Sequence, residues 1–70
     1  MMKITFDRRR PLIDDWAVRA NGIAYGSLWR AGAEYLTNCT HLERFPTMEA
    51  AQRAARRQLK AALQASKTAA

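Results

Sequence analysis

Cys39 and His41 stand two residues apart, so on a β-strand they would share a face. A thiol beside an imidazole is the beginning of a nucleophilic pair. Such a pair also needs hydrogen-bond contact, oxyanion donors and a substrate cleft, and no other residue pattern supplies them. The same two side chains fall short of a metal site, which takes four ligands, or three plus water. Asp14 and Asp15 could grip a cation, but adjacent acids in a loop are ordinarily just solvated. There is no Gly-rich phosphate loop, paired-carboxylate constellation or nucleotide fingerprint. Cys39 and His41 therefore read as a small half-buried thiol and a surface imidazole. No enzyme, metal or cofactor is expected.

The cationic residues form a stronger pattern. Arg53, Arg56, Arg57 and Lys60 recur at helical spacing, and Lys67 continues the line. Glu49 is the only acid from residue 47 onward, so i,i+4 salt bridges cannot account for the row. Like charges at that spacing cost a few tenths of a kcal/mol per pair, and a face kept at that cost suits an anionic partner. Arg8, Arg9 and Arg10 form a second group in an expected loop, partly neutralised by Asp7, Asp14 and Asp15. Arg19 and Arg30 form a third, flanking a flat strip of Ala17, Ala24 and Gly26 on an expected open sheet face.

Size and charge set the frame for these groups. Seventy residues make one small domain with room for one core layer. Twelve basic and six acidic side chains give a net charge of +6, of which residues 47–70 carry +4. A single cysteine excludes an internal disulfide and fits a reducing compartment. No apolar run approaches a membrane span, and the first residues lack the apolar region of a signal peptide. A cytoplasmic protein that avoids membranes is expected.

The elements follow from periodicity. Met2, Ile4 and Phe6 alternate with polar residues and predict a strand, followed by a loop through Pro11 to Asp15. Asn21-Gly22 predicts a type I′ hairpin turn. Its register would set Val18 against Tyr25 and Trp16 against Ser27. The core face would then hold Trp16, Val18, Ala20, Ile23, Tyr25 and Trp29, and the open face Ala17, Arg19, Ala24, Gly26, Leu28 and Arg30. A further turn near Ala31-Gly32 leads to a strand over Glu34 to Asn38. A three-residue loop, Ala31 to Ala33, would set Arg30 against Glu34 and bring Tyr35 to the face of Trp29. Asn38 to Arg44 shows no clean period and either extends that strand or leaves it. Thr47 then caps a helix to Ser66, with Met48, Ala51, Ala55, Leu59, Ala62 and Leu63 in its core stripe. Ala50, Ala54, Ala61 and Ala65 make a separate small-residue sector. The expected fold is α+β: an antiparallel sheet of three or four strands with one long C-terminal helix across one face. The domain spans 1–66, and 67–70 form a frayed tail.

Two resemblances bear on function. The order of strands, then Phe45-x-Thr47-x-Glu49-Ala50-Ala51, then a basic helix resembles the arm-binding domains of phage-type tyrosine recombinases and AP2-like DNA-binding domains. Gly26-Ser27-Leu28-Trp29-Arg30 echoes their Gly-x-Trp-x-Arg-like strand with one extra residue before Trp29. That resemblance covers about residues 16–65 and implies a sheet that reads DNA. In size and build, a free-standing, cysteine-poor chain without an active site resembles small phage-encoded inhibitors, including the anti-CRISPR class. That resemblance implies docking on a host complex that handles nucleic acid.

The expectation from sequence is a non-enzymatic binding protein, a phage-type inhibitor that blocks nucleic-acid binding by a host complex in the bacterial cytoplasm. Its alternative is a small DNA-binding domain that contacts phosphates through the same residues. The partner-binding residues would be Arg53, Arg56, Arg57 and Lys60 on the helix, or Arg8, Arg9, Arg10, Arg19 and Arg30 on the loop and open sheet face. A monomer is expected over a dimer.

Overall fold

The computed structural model describes the backbone of residues 3–68 and the side chains of 3–65. Met2, placed in the first strand by its alternation, lies outside the described residues, as does the side chain of Lys67. Five antiparallel strands follow one another in space as they do in sequence: β1 (Ile4–Arg10), β2 (Ile13–Ala20), β3 (Ile23–Ala31), β4 (Glu34–Asn38) and β5 (Leu42–Phe45). One helix, α1 (Met48–Thr68), completes the α+β fold. The expected tail at 67–70 is helical as far as Thr68, and 69–70 lie outside the described residues. Among the described residues, no helix is long and apolar enough to cross a membrane.

The sheet has five strands, not three or four. The fifth comes from Leu42–Phe45, which pairs with β4 through a three-residue loop, Cys39 to His41. The segment from Asp7 to Asp15 is also strand for most of its length. Only Pro11 and Leu12 form the turn, so Arg8, Arg9 and Arg10 lie on β1 and not in a loop. Cross-strand ion pairs hold this charged ribbon together. Arg9 Nη1 lies 3.0 Å from Asp15 Oδ1, and Arg8 Nη1 lies 3.2 Å from Asp14 Oδ1.

The Asn21-Gly22 turn forms as its chemistry predicts. Both residues take positive φ, 53° and 85°, and Ala20 pairs with Ile23. Asn21 also clamps the start of β1: its N–H donates to the Lys3 carbonyl at 2.8 Å, and its Oδ1 accepts the Lys3 N–H at 3.0 Å.

Beyond Ala24 the expected register fails. A bulge at Tyr25 brings Gly26 against Val18 and Leu28 against Trp16. Because side chains alternate, that one extra residue inverts the rest of β3. Leu28 becomes fully buried core, Trp29 moves to the opposite face beside Asp15, and Ile23 and Tyr25 are exposed. The next hairpin has a two-residue loop, with Ala31 opposite Glu34 and Arg30 opposite Tyr35. Tyr35 thus shares the helix side with Arg30, and Trp29 meets Leu36 on the other side.

Gly26, directly after the bulge, is required by a close approach. A Cβ at this position would stand 2.6 Å from the Asn38 carbonyl oxygen and 2.7 Å from Cys39 Cα. Only glycine lets the chain leaving β4 lie this close.

Thr47 caps α1, its Oγ1 accepting the Ala50 N–H at 3.2 Å, with Glu49 in the first turn. The core is Val18, Ala20 and Leu28 from the sheet against Ala51, Ala55 and Leu59 from the helix. The helix alanines let the backbones approach closely. Ala54, assigned by period to the separate small-residue sector, is also buried against the sheet. The seam is wider than the periodicity implies because Gln58 lies in it too.

Candidate anion-binding surface

Along α1, Arg53, Arg56, Arg57 and Lys60 fall at i, i+3, i+4 and i+7, on the side turned away from Ala51, Ala55 and Leu59. With Ala61 and Gln64 they border a shallow depression of about 500 Å³. All of its walls belong to one convex helix, so it is a gap between extended side chains and not a cavity.

The four cations are not equivalent. Arg57 Nη2 contacts both oxygens of Glu43 on β5, at 2.9 and 3.2 Å. Arg56 lies over the ring of Phe6, 5.2 Å from its centroid, which orients the guanidinium toward β1. Among the described residues, no carboxylate lies within ion-pairing distance of Arg53, Arg56 or Lys60.

The sheet arginines divide between two faces. Arg9 and Arg19 lie on the face without the helix, where Arg19 Nε meets Asp7 Oδ2 at 3.0 Å and Arg9 meets Asp15. Arg8 and Arg30 lie on the helix side. Arg8 stacks over Trp16, 4.8 Å from the ring centroid, and Asp14 bridges Arg8 at 3.2 Å and Arg30 at 3.6 Å. The expected open-face position of Arg30 is therefore corrected by the bulge in β3. Four of these sheet arginines have an aspartate partner, and Arg44 on β5 has no ion pair among the described residues. Among the described residues Arg10 has none.

Two groups expected to be rivals are thus neighbours. Phe6 and Arg8 point to the same side of β1, about 7 Å apart along the strand. Arg56 sits over the first and the Arg8–Trp16 stack includes the second. The helix row and the arginine-rich hairpin form one basic surface.

Cys39 and His41 fall in the β4–β5 loop, not on a strand, and they do not pair. His41 Nδ1 lies 3.0 Å from Thr40 Oγ1 and Nε2 lies 3.0 Å from Glu43 Oε1. Cys39 Sγ lies 3.9 Å from Thr37 Oγ1. Partial burial pushes its thiol above the ordinary value, against a smaller downward pull from Thr37. Among the described residues no group of three or more His, Cys, Asp or Glu could hold a metal ion.

Gln58 was not singled out by the sequence pattern, yet it organises this loop. It is nearly fully buried on α1. Its Oε1 accepts the Cys39 and Thr40 N–H groups at 3.1 and 3.0 Å, and its Nε2 donates to Glu43 Oε1 at 2.7 Å. The Gln58 hydrogen bond, aided by Arg57 and opposed by partial burial, holds the Glu43 carboxyl below its usual range. The available signal was a polar residue between Ala55 and Leu59, at the rim of the apolar stripe. Comparison with known protein families, curated proteins and solved structures finds no match to the chain.

Proposed function

We propose that the chain is a non-enzymatic binding protein that lays the outer face of α1 and the adjoining β1–β2 hairpin along the backbone of a nucleic acid. The observation that carries this reading is the position of Arg56 over Phe6, beside the Arg8–Trp16 stack, which joins two cationic groups into one elongated surface. An extended polyanion matches such a footprint better than a compact acidic patch. Among the described residues, Arg53, Arg56 and Lys60 on α1 and Arg10 on the hairpin have no carboxylate in ion-pairing distance, and they are the phosphate contacts in this reading. Direct DNA reading by the opposite sheet face is disfavoured, because Asp7 and Asp15 already neutralise Arg19 and Arg9 there.

The test is binding to a short random-sequence duplex across a salt series. Four phosphate contacts give a slope of log affinity against log salt of about −3 to −4. Arg53→Glu with Arg56→Glu should weaken binding and flatten the slope. No binding at low salt sinks this reading.

A second reading has the same face dock on an acidic patch of a host nucleic-acid-handling complex, as a small phage-type inhibitor does, and block nucleic acid from it. The Glu43–Arg57 contact favours it, since both carboxylate oxygens of a protein side chain already fit one member of the row. In that case a defined nuclease or ribonucleoprotein is captured from bacterial lysate, and the same double reversal abolishes capture while free duplex is not bound.

A further inference from the structure

We infer that the tip of the β1–β2 hairpin is a wedge for the minor groove of a duplex, with Pro11 and Leu12 inserted against a base step and Arg10 on the flanking phosphates. This inference rests on the nucleic-acid reading above.

The first observation is exposure. Leu12 is 97% exposed and Ile13, beside it, 46%. Pro11 suits the first turn position by its fixed φ, and neither turn residue takes positive φ, but no turn preference calls for a large apolar side chain at Leu12. The second is shape. The tip ends a two-stranded ribbon, and helix contacts concentrate on β3, β4 and β5, so the tip stands clear of α1. Apolar wedges of this kind part base steps in minor-groove binders, with cationic side chains beside them.

The third observation is stiffness joined to charge. Arg8 Nη1 donates to the Ile13 carbonyl at 3.1 Å and to Asp14, and Arg9 binds Asp15 across the ribbon. Arg30 also reaches Asp14. These contacts hold the ribbon in one shape, which lowers the ordering penalty on binding. They also neutralise both aspartates, which would otherwise repel phosphates. Four arginines against two aspartates leave the end of the hairpin cationic, with Arg10 free of an ion pair among the described residues. A lipid surface suits the tip less well. Two apolar side chains offer less than the single acyl chain that already binds membranes only marginally.

The experiment uses the full chain and a short duplex carrying 2-aminopurine at a central TA step, whose fluorescence rises on unstacking. Anisotropy of the same duplex reports binding separately. The expected result is binding with a fluorescence rise. Leu12→Ser should still bind but lose the rise, and its exposure predicts an unchanged unfolding midpoint. Arg10→Ala should reduce the salt slope by about one. Binding without a rise, or a rise that persists in Leu12→Ser, overturns the wedge and leaves the helix contact standing. Absence of binding overturns the wedge and the nucleic-acid reading together. Co-sedimentation with phosphatidylserine–phosphatidylcholine vesicles that is lost in Leu12→Ser, with no duplex bound, overturns it in favour of a lipid surface.

Discussion

Gln58 donates to Glu43 across the gap between α1 and β5, 2.7 Å from Nε2 to Oε1, while its own Oε1 accepts two amides of the β4–β5 loop. One buried side chain thereby ties the helix, the last strand and the tight loop between β4 and β5. Gln58→Ala removes the acceptor for the Cys39 and Thr40 N–H groups. Leaving such amides unsatisfied costs about 1–3 kcal/mol. Urea unfolding should show the corresponding drop in midpoint, with the slope unchanged. A midpoint equal to the parent's would mean that water replaces the amide without loss.

Glu43 gives the same knot a pH dependence. Its folded pKa lies below the ordinary 4.5, chiefly through the Gln58 hydrogen bond and then through Arg57. The unfolded chain therefore binds the proton first as pH falls. The stabilisation is complete above the unfolded value and is lost as pH drops through the folded one. The parent should lose stability below about pH 4.5 more steeply than Glu43→Gln. Parallel acid titrations of the two proteins would refute this.

Cys39 shifts the opposite way for an acid. Its thiol is held above the ordinary 9.0 by burial. The thiolate is scarce at pH 8, so alkylation by iodoacetamide should be slower in the folded protein than in urea. Because the unfolded thiol ionises first, its contribution to stability declines as pH rises past 9.0. Equal alkylation rates in the folded and unfolded states would show the thiol to be accessible and unshifted.

Gly26 carries the close crossing of β3 with the end of β4. Gly26→Ala places a Cβ 2.6 Å from the Asn38 oxygen and 2.8 Å from Cys39 Sγ. Overpacking of this kind costs about 1–3 kcal/mol. The Tm should fall by several degrees or more, and an unchanged Tm would mean that the β4–β5 loop yields freely.

Legibility in the sequence followed the range of the cause. The Asn21-Gly22 turn, the Thr47 cap and the alternation of Ile4 and Phe6 are local, and each formed as read. The bulge at Tyr25 lies beside a contact distant in sequence, the passage of Asn38 and Cys39 over Gly26, and no period in β3 announces it. That one displacement exchanged Leu28 for Trp29 in the core and carried Arg30 to the helix side. The β5 strand was hidden because Leu42 to Phe45 is too short and too polar to show a period. The helix row of Arg53, Arg56, Arg57 and Lys60 was legible because it depends on spacing within one element. The partners of Arg8, Arg9 and Arg19 depend on pairing across strands, which composition does not reveal.

Every strand pairs with its neighbour in sequence, and the helix that covers them comes last. On the ribosome, Val18, Ala20 and Leu28 emerge well before Ala55 and Leu59. The nascent sheet carries an uncovered apolar face until translation supplies the helix, and the β1 edge stays unpaired even in the finished fold. Arg8, Arg9 and Arg10 lie along that edge, and charge on an open strand edge opposes strand-to-strand association between chains, growing or finished.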